Sequence, residues 1–69
     1  MVRTPVRSTN LRSVGYDTTT AILEIEFHSG LYQYMAVPER VFQGLMSASS
    51  KGSYHDRYIK RSYRYRQLA

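Results

Sequence analysis

AILEIEFHSGLYQY, residues 21–34, is the stretch of the chain that decides the fold. Its first half alternates apolar and acidic side chains, with Leu23, Ile25 and Phe27 separated by Glu24 and Glu26. A period of two is typical of a strand that has one face in the core and the other exposed to water. The pattern therefore predicts a half-buried strand over residues 21–27, with its two glutamates on a solvated face.

The second half of the stretch begins another strand, predicted over residues 31–37, and the turn between the strands sets their register. If Ser29 and Gly30 form a two-residue turn, Tyr32 and Tyr34 lie on the apolar face of the first strand. A three-residue loop would turn both tyrosines towards the glutamates instead. Because the first register builds a continuous apolar face, we expect that one.

Upstream of this hairpin, residues 11–16 predict a short strand, followed by turn residues at 17–19. Gly15 within it indicates a bulge or the close approach of another backbone segment. Residues 1–9 show no helical or strand periodicity, so we expect a flexible N-terminal arm. One domain is then expected over residues 10–69.

Downstream, Pro38 suits the first turn of a helix, and apolar residues recur at the spacing of three to four that makes one buried stripe through about Ala48. Ser49 or Ser50 is expected to cap a second short helix that ends near Ile59. Beyond it, tyrosines alternate with arginines over residues 63–66, as in an edge strand or an extended arm.

These elements predict an α+β fold: a three-stranded antiparallel β-meander followed by one or two short helices, with a short C-terminal edge strand left open. The residues expected in the core are Val14, Leu23, Ile25, Phe27, Tyr34, Val37, Val41, Phe42, Leu45 and Ile59.

Composition restricts the class of protein. A chain of 69 residues has room for one thin core, and 42% hydrophobic with 22% charged residues is a globular composition. The absence of cysteine removes disulfides and thiolate metal sites, so packing or oligomerisation must stabilise the fold. No apolar stretch has the length of a membrane span or a signal peptide, and we expect a cytoplasmic location without a membrane partner.

Charge is unevenly distributed along the chain. The cations and carboxylates of residues 1–50 balance, whereas residues 51–69 contain six lysines and arginines against Asp56 alone, so the whole net charge of +5 is local. Such asymmetry creates a field that attracts phosphates or acidic surfaces.

The order of these patterns resembles the KTSC domain, a short family named for the C-terminal domain of certain lysyl-tRNA synthetases and also seen as free-standing proteins. The resemblance covers about residues 8–66. It implies no established catalytic role, and RNA binding is its customary suggestion. The segments and residues that carry it are Ser13 to Asp17, Leu23 to Phe27, Tyr32 to Tyr34, Val37 with Pro38, Ser50 to Tyr54, Ile59 and Tyr63.

Enzymatic and metal-binding patterns are absent from the sequence. There is no nucleophile-elbow, Walker or Rossmann glycine pattern, and we predict no enzyme, catalytic residue or cofactor. His28, His55 and Asp56 lack the ligand spacing of common metal sites, so both histidines are expected on the surface.

The leading functional prediction is a non-catalytic nucleic-acid-binding module, RNA favoured, in which cations hold phosphates while tyrosines stack on bases. A polar, glycine-containing helix start at residues 50–54 would contribute to anion binding, with ordinary capping as its alternative. Tyr32 and Tyr34 could form a stacking platform, but completing the core is the favoured role. The candidate site residues are Ser50, Lys51, Gly52, Tyr54, Arg57, Lys60, Arg61, Tyr63, Arg64, Tyr65 and Arg66.

Two other functions stay open. The same cations could converge on a phosphate-bearing nucleotide or cyclic nucleotide signal, which the protein would bind or sequester as a phage protein opposing host defence does. They could instead hold an acidic protein partner in an adaptor role. The sequence leaves the oligomeric state open, homo-oligomers included.

Overall fold

The computed structural model describes residues 1–69 as an α+β fold in which helices cover one face of an antiparallel sheet. The sheet has five strands rather than the three predicted, and they follow one another in chain order. Its strands are β1 (Thr4–Pro5), β2 (Leu11–Asp17), β3 (Ile22–Phe27), β4 (Gly30–Tyr34) and β5 (Tyr65–Gln67). The helices are α1 (Glu39–Ser47) and α2 (Lys51–Tyr54), the latter continued by a π-helical segment (His55–Ile59).

The central hairpin turns one residue earlier than predicted. Phe27 pairs with Gly30, so His28 and Ser29 are the turn residues, and Ile25 lies opposite Tyr32 rather than Tyr34. The register has moved by two residues, an even number, so the two tyrosines keep the face that the sequence predicted. Glycine suits this position, because a Cβ atom there would lie 2.6 Å from the Ala69 carbonyl oxygen.

The two additional strands flank the predicted meander. β1 pairs with β2 at Val14 and Ser13, in the segment that was expected to be an arm. A two-residue strand that contains Pro5 has no periodicity to detect, because its pairing depends on β2 rather than on its own pattern. β5 pairs with β4, placing Tyr65 opposite Tyr34, so the alternation of tyrosine and arginine indicated a real edge strand.

The helices pack through a few apolar side chains. Leu45 of α1 and Ile59 of the π-helical segment are fully buried. Ser50 caps α2, because its hydroxyl oxygen accepts the Ser53 N–H at 3.3 Å. Neither helix is long and apolar enough to cross a bilayer.

The core is close to the predicted set but not identical with it. Leu11 belongs to it although its flanking position at the start of β2 gave no periodic pattern. Phe27, Val41 and Phe42 were expected inside, yet each is only partly buried at the margin. The buried apolar residues are Leu11, Val14, Leu23, Ile25, Tyr34, Val37, Leu45 and Ile59.

The sheet face away from the helices carries a hydrogen-bonded row of polar side chains, which we call the polar row. The Arg3 guanidinium donates to Glu24 at 2.5 Å, Gln33 donates to the other Glu24 oxygen at 2.8 Å, and Arg66 donates to Gln33 at 3.2 Å. Burial raises the pKa of Glu24, but these hydrogen bonds from Gln33 and Arg3 outweigh it and leave that pKa below its ordinary value. The predicted solvated face is wrong for Glu24, of which only 6% is exposed because Arg3 and Gln33 cover it, whereas Glu26 is half-buried.

Candidate functional site

An open cleft of about 590 Å³ lies between the helix-facing side of the sheet and the π-helical segment. We call it the aromatic cleft, because five of its lining residues have ring side chains: Phe27, Tyr32, Tyr34, His55 and Tyr65. Its volume is within the range of about 300–1,000 Å³ typical of small-ligand sites.

The rings of the aromatic cleft contact one another at angles that leave some faces free. Phe27 and Tyr32 meet edge to face with ring centroids 5.6 Å apart. Tyr65 lies 5.9 Å from Tyr32 and 5.7 Å from Tyr34 in tilted arrangements, and 58% of Tyr65 is exposed. A planar ligand can therefore stack on Tyr65 without disturbing the core.

A buried hydrogen bond forms the base of the cleft. The Tyr34 hydroxyl lies 2.7 Å from Nε2 of His55, whose ring packs against Phe27 with centroids 4.8 Å apart. Nδ1 of His55 lies 3.4 Å from Oδ1 of Asp56, a long contact. Burial lowers the pKa of His55 in spite of this carboxylate, and burial raises the pKa of Tyr34 to about 12.

The prediction that His55 lies on the surface is wrong, because only 7% of it is exposed. One relevant pattern was present in the sequence: His55 precedes the core residue Ile59 by four positions, which places both on one helix face. His28 is exposed, as expected. No three histidine, cysteine, aspartate or glutamate side chains converge on a metal-binding arrangement.

Four of the eleven candidate residues line the aromatic cleft: Gly52, Lys60, Arg61 and Tyr65. Lys60 and Arg61 are exposed cations at the end of the π-helical segment. They bring positive charge to the mouth of a cavity whose walls are aromatic. Of the predicted cations and tyrosines, the fold brings Lys60, Arg61 and Tyr65 together in this cleft.

The helix start forms a second, smaller concavity of about 380 Å³ with no apolar lining, which we call the polar groove. Ser50 and Lys51 line it together with Arg7 of the N-terminal segment. Here Ser50 caps the helix, and Lys51 donates through Nζ to the Ala48 carbonyl oxygen at 3.1 Å. Both residues thus make structural contacts at the start of the helix, as expected if this segment serves ordinary capping rather than anion binding.

The other aromatic candidates lie outside the cleft. Tyr54 packs over Gly44 of α1, where a Cβ atom would overlap its hydroxyl, and its ring lies 4.8 Å from that of Tyr58. The Arg57 guanidinium is 6.0 Å from the Tyr58 ring centroid, on the outward side of the π-helical segment. Tyr63 is half-buried against the core.

The two C-terminal arginines do not face the cleft in the way Tyr65 does. Arg64 is exposed before β5, and its carbonyl oxygen accepts the Met35 N–H at 2.8 Å. Arg66 points to the opposite face of the sheet, where its guanidinium joins the polar row through Gln33. The pattern of period two in the sequence already implied that Tyr65 and Arg66 would separate in this way.

Several lining residues were not among the candidate site residues, although Tyr32 and Tyr34 had been weighed as a stacking platform. Asn10 had no distinguishing local pattern, because its neighbour in the cleft, Gly52, is remote in sequence. His28 and Ser29 became the turn residues of the hairpin when its register shifted, and they line the cleft there. The missed lining residues are Asn10, Phe27, His28, Ser29, Tyr32, Tyr34, His55 and Asp56.

Comparison with known proteins now decides the family. The family model described as the KTSC domain matches residues 7–63. The chain belongs to the KTSC domain family. A solved KTSC domain protein from Yersinia pestis has the same architecture, with a TM-score of 0.96 and 45% sequence identity over 99% of this chain and 97% of that one. The resemblance drawn from the sequence is therefore confirmed.

Other KTSC relatives differ in length. A protein of Stutzerimonas stutzeri is 48% identical over 67 residues, which span 94% of each chain. A lysine–tRNA ligase of Nostoc is 40% identical over 60 residues, which span 86% of this chain but 11% of the ligase. The family thus includes proteins of about this size and a segment of a much longer enzyme.

Proposed function

We propose that this KTSC domain is a non-catalytic module that binds single-stranded nucleic acid, preferably RNA, by stacking a base in the aromatic cleft. The observation that carries the proposal is the meeting of exposed aromatic surface and free cations at one place. Tyr65 lines the same cleft as Lys60 and Arg61.

Stacking supplies the part of the affinity that a basic tail alone would lack. A base that stacks on an aromatic side chain contributes about 1–3 kcal/mol, whatever its sequence. Tyr65 is 58% exposed, and Tyr32 and Phe27 provide neighbouring ring surface. A base that stacks on the exposed surface of Tyr65 would not have to separate these rings.

Electrostatic attraction supplies the rest. Lys60 and Arg61 take part in no salt bridge, so their charges are available to a phosphate. Arg57 and Arg64 are exposed nearby in the chain and extend the positive surface beyond the cleft. The flexible backbone of a single strand could place one base in the cleft while adjacent phosphates contact these cations.

Two observations favour RNA and a binding role. One relative is a lysine–tRNA ligase, an enzyme whose name includes an RNA substrate. The second observation is that burial raises the pKa of Tyr34 to about 12, which disfavours a tyrosinate nucleophile where its hydroxyl meets the imidazole of His55. Neither observation calls for a cofactor.

Fluorescence anisotropy with labelled RNA and DNA oligonucleotides of equal sequence tests the proposal. We expect RNA to bind more tightly, and both affinities to fall with added salt as counterions are released. Tyr65→Leu should weaken binding about tenfold, because it keeps an apolar side chain but removes the stacking ring, a loss of about 1–3 kcal/mol. Tyr58→Leu is the matched control: Tyr58 is 52% exposed but lies outside the cleft, so its loss should change little.

Failure to bind either oligonucleotide at low salt would refute the proposal. Equal effects of the two tyrosine substitutions would place the nucleic acid elsewhere. The volume of the cleft also favours a second candidate, a free nucleotide or cyclic nucleotide as ligand. In that case mononucleotides would raise the melting temperature saturably, by mass action, while oligonucleotides would not bind.

A further inference from the structure

One residue of the aromatic cleft does not fit a surface designed only for phosphates. Asp56 is the single carboxylate in residues 51–69, and it lines the cleft among cations. Its one close contact to a titratable side chain is the 3.4 Å approach to His55, and its side chain is 67% exposed. A negative charge there repels phosphates, so its oxygens are better suited to hydrogen-bond donors of a neutral group.

The Asn10 amide is a second free group at the same place. Asn10 and Asp56 both line the aromatic cleft and the polar groove, so they share the boundary between the two. The side-chain amide of Asn10 makes no hydrogen bond within the protein. Only the main chain of this residue is bonded: its N–H donates to the Ser8 hydroxyl oxygen, and its carbonyl oxygen accepts the His28 N–H at 3.2 Å. A Cβ atom at Gly52 would lie 2.8 Å from Nδ2 of Asn10, so only glycine leaves the amide in this position.

A carboxylate beside an amide donor matches one nucleobase better than the others. Guanine presents two adjacent donors, N1–H and the N2 amino group, next to the acceptor O6. Adenine and cytosine each place a ring acceptor beside a single amino group, which a carboxylate would repel. Uracil has one N–H between two acceptors.

We infer that the aromatic cleft recognises guanine, with Asp56 accepting hydrogen bonds from N1–H and the N2 amino group while Asn10 donates to O6. The inference rests on the proposed function, because it assigns an identity to the base that stacks on Tyr65. The guanine can belong to an RNA strand or to a free guanine nucleotide, and the experiment separates the two sources.

The experiment uses labelled U-rich RNA octamers that carry guanosine, inosine, adenosine, cytidine or uridine at one central position. Inosine retains N1–H and O6 but lacks the N2 amino group, so it isolates one donor. A good bidentate contact discriminates by about 1–3 kcal/mol, and we expect the guanosine probe to bind about tenfold more tightly than the adenosine and cytidine probes, with inosine between them. Competition by unlabelled GMP against AMP then shows whether the free nucleotide suffices.

Two variants of equal charge change separate base recognition from general electrostatics. Asp56→Asn keeps the side-chain shape but replaces one acceptor by a donor, so the guanosine probe should lose its advantage over the inosine probe, while the adenosine, cytidine and uridine probes bind at least as tightly as before. Glu39→Gln also removes one negative charge, from an exposed position in α1 outside the cleft, and should retain the preference. Asn10→Ala should reduce the affinities for guanosine and inosine probes together.

Each outcome supports or overturns the inference. Equal binding of all five probes by the unaltered protein would overturn the inference but leave the proposed function standing. An undiminished guanosine preference in Asp56→Asn would also overturn it. No binding of any probe or of GMP would overturn both, whereas displacement by GMP together with weak octamer binding would support guanine recognition with a free nucleotide as its source.

Discussion

The imidazole of His55 packs against two aromatic rings, and its Nε2 atom is hydrogen-bonded to the Tyr34 hydroxyl. Phe27 and Tyr34 contact the ring with centroids 4.8 and 5.5 Å away. In this surrounding the imidazolium is poorly solvated, and burial lowers the pKa of His55 although Asp56 opposes the shift. The ionisable groups that contact the ring or act on its charge are Tyr34, Asp56 and Lys60; the others that line the same cleft are His28, Tyr32, Arg61 and Tyr65.

This shift makes stability depend on pH. The unfolded chain takes up the His55 proton near pH 6.5, whereas the folded chain does so only at lower pH. Stability is therefore complete above about pH 6.5 and declines as the pH falls towards the lower folded pKa, because the unfolded state binds the proton first. We expect the free energy of unfolding, measured by urea denaturation, to fall between about pH 7.5 and about pH 5 in the unaltered protein and to change less in His55→Gln.

The exposed His28 provides the control for that measurement. His28→Gln should retain the full pH dependence, because His28 lies in the turn and contacts no core ring. A parallel decline in all three proteins would mean that another group is responsible.

The same residue illustrates what sequence reasoning could and could not reach. The alternation of Leu23 and Ile25 predicted their burial because strand geometry is local. The burial of His55 depends on Phe27 and Tyr34, residues from another part of the chain that come close only after the hairpin forms. The place of Asn10 in the cleft could not be predicted for the same reason, since only the folded chain brings this residue close to Gly52.

At the level of elements, the segment that leads into β1 makes a close backbone contact with β2. A Cβ atom at Gly15 would lie 2.7 Å from the Val2 carbonyl oxygen, so the segment before β1 crosses directly over the glycine. Next to this crossing, Arg3 reaches Ser13 at 3.0 Å and also Glu24. The sequence indicated a close backbone approach at Gly15, and the structure identifies the segment that approaches.

Gly15→Ala should therefore displace the N-terminal segment and break its bonds to the polar row. Overpacking typically costs about 1–3 kcal/mol, and we expect a loss of that order in the free energy of unfolding. Amide hydrogen exchange at Val6, whose N–H donates to the Arg12 carbonyl oxygen at 3.1 Å, should become faster.

A truncation identifies the cause of that loss. In a chain that lacks residues 1–3, the alanine meets no Val2 oxygen, so the same substitution should cost little. Equal destabilisation in the full and truncated chains would show that the strain arises within β2 itself.

Edge strands also mark the limit of prediction at this level. The Tyr–Arg alternation near the C-terminus predicted either an edge strand or an extended arm, and β5 is an edge strand. The two-residue β1 could not be predicted, because it depends on pairing with β2. The exact position of the turn between β3 and β4 could not be predicted either, because the last residue of the chain packs against Gly30 only in the folded protein.

At the scale of the whole molecule, the sheet separates two kinds of positive charge. Arg61 lines the aromatic cleft on the helix-facing side, whereas Arg66 joins the polar row on the other side. Residues 51–69 looked like one basic surface in the sequence because both arginines count equally towards the net charge of +5. In the fold they lie on different faces of the sheet.

Matched single substitutions test whether a face or only the net charge attracts RNA. Arg61→Ala and Arg66→Ala lower the charge equally, so long-range attraction alone predicts equal losses of affinity. If Arg61 contacts a phosphate, its loss should also make the plot of log affinity against log salt less steep by about 0.7, the value for one phosphate contact with a single strand. Arg66→Ala should leave that slope unchanged, since its guanidinium is directed at Gln33; equal slopes in the two variants would mean that the RNA does not distinguish the faces of the sheet.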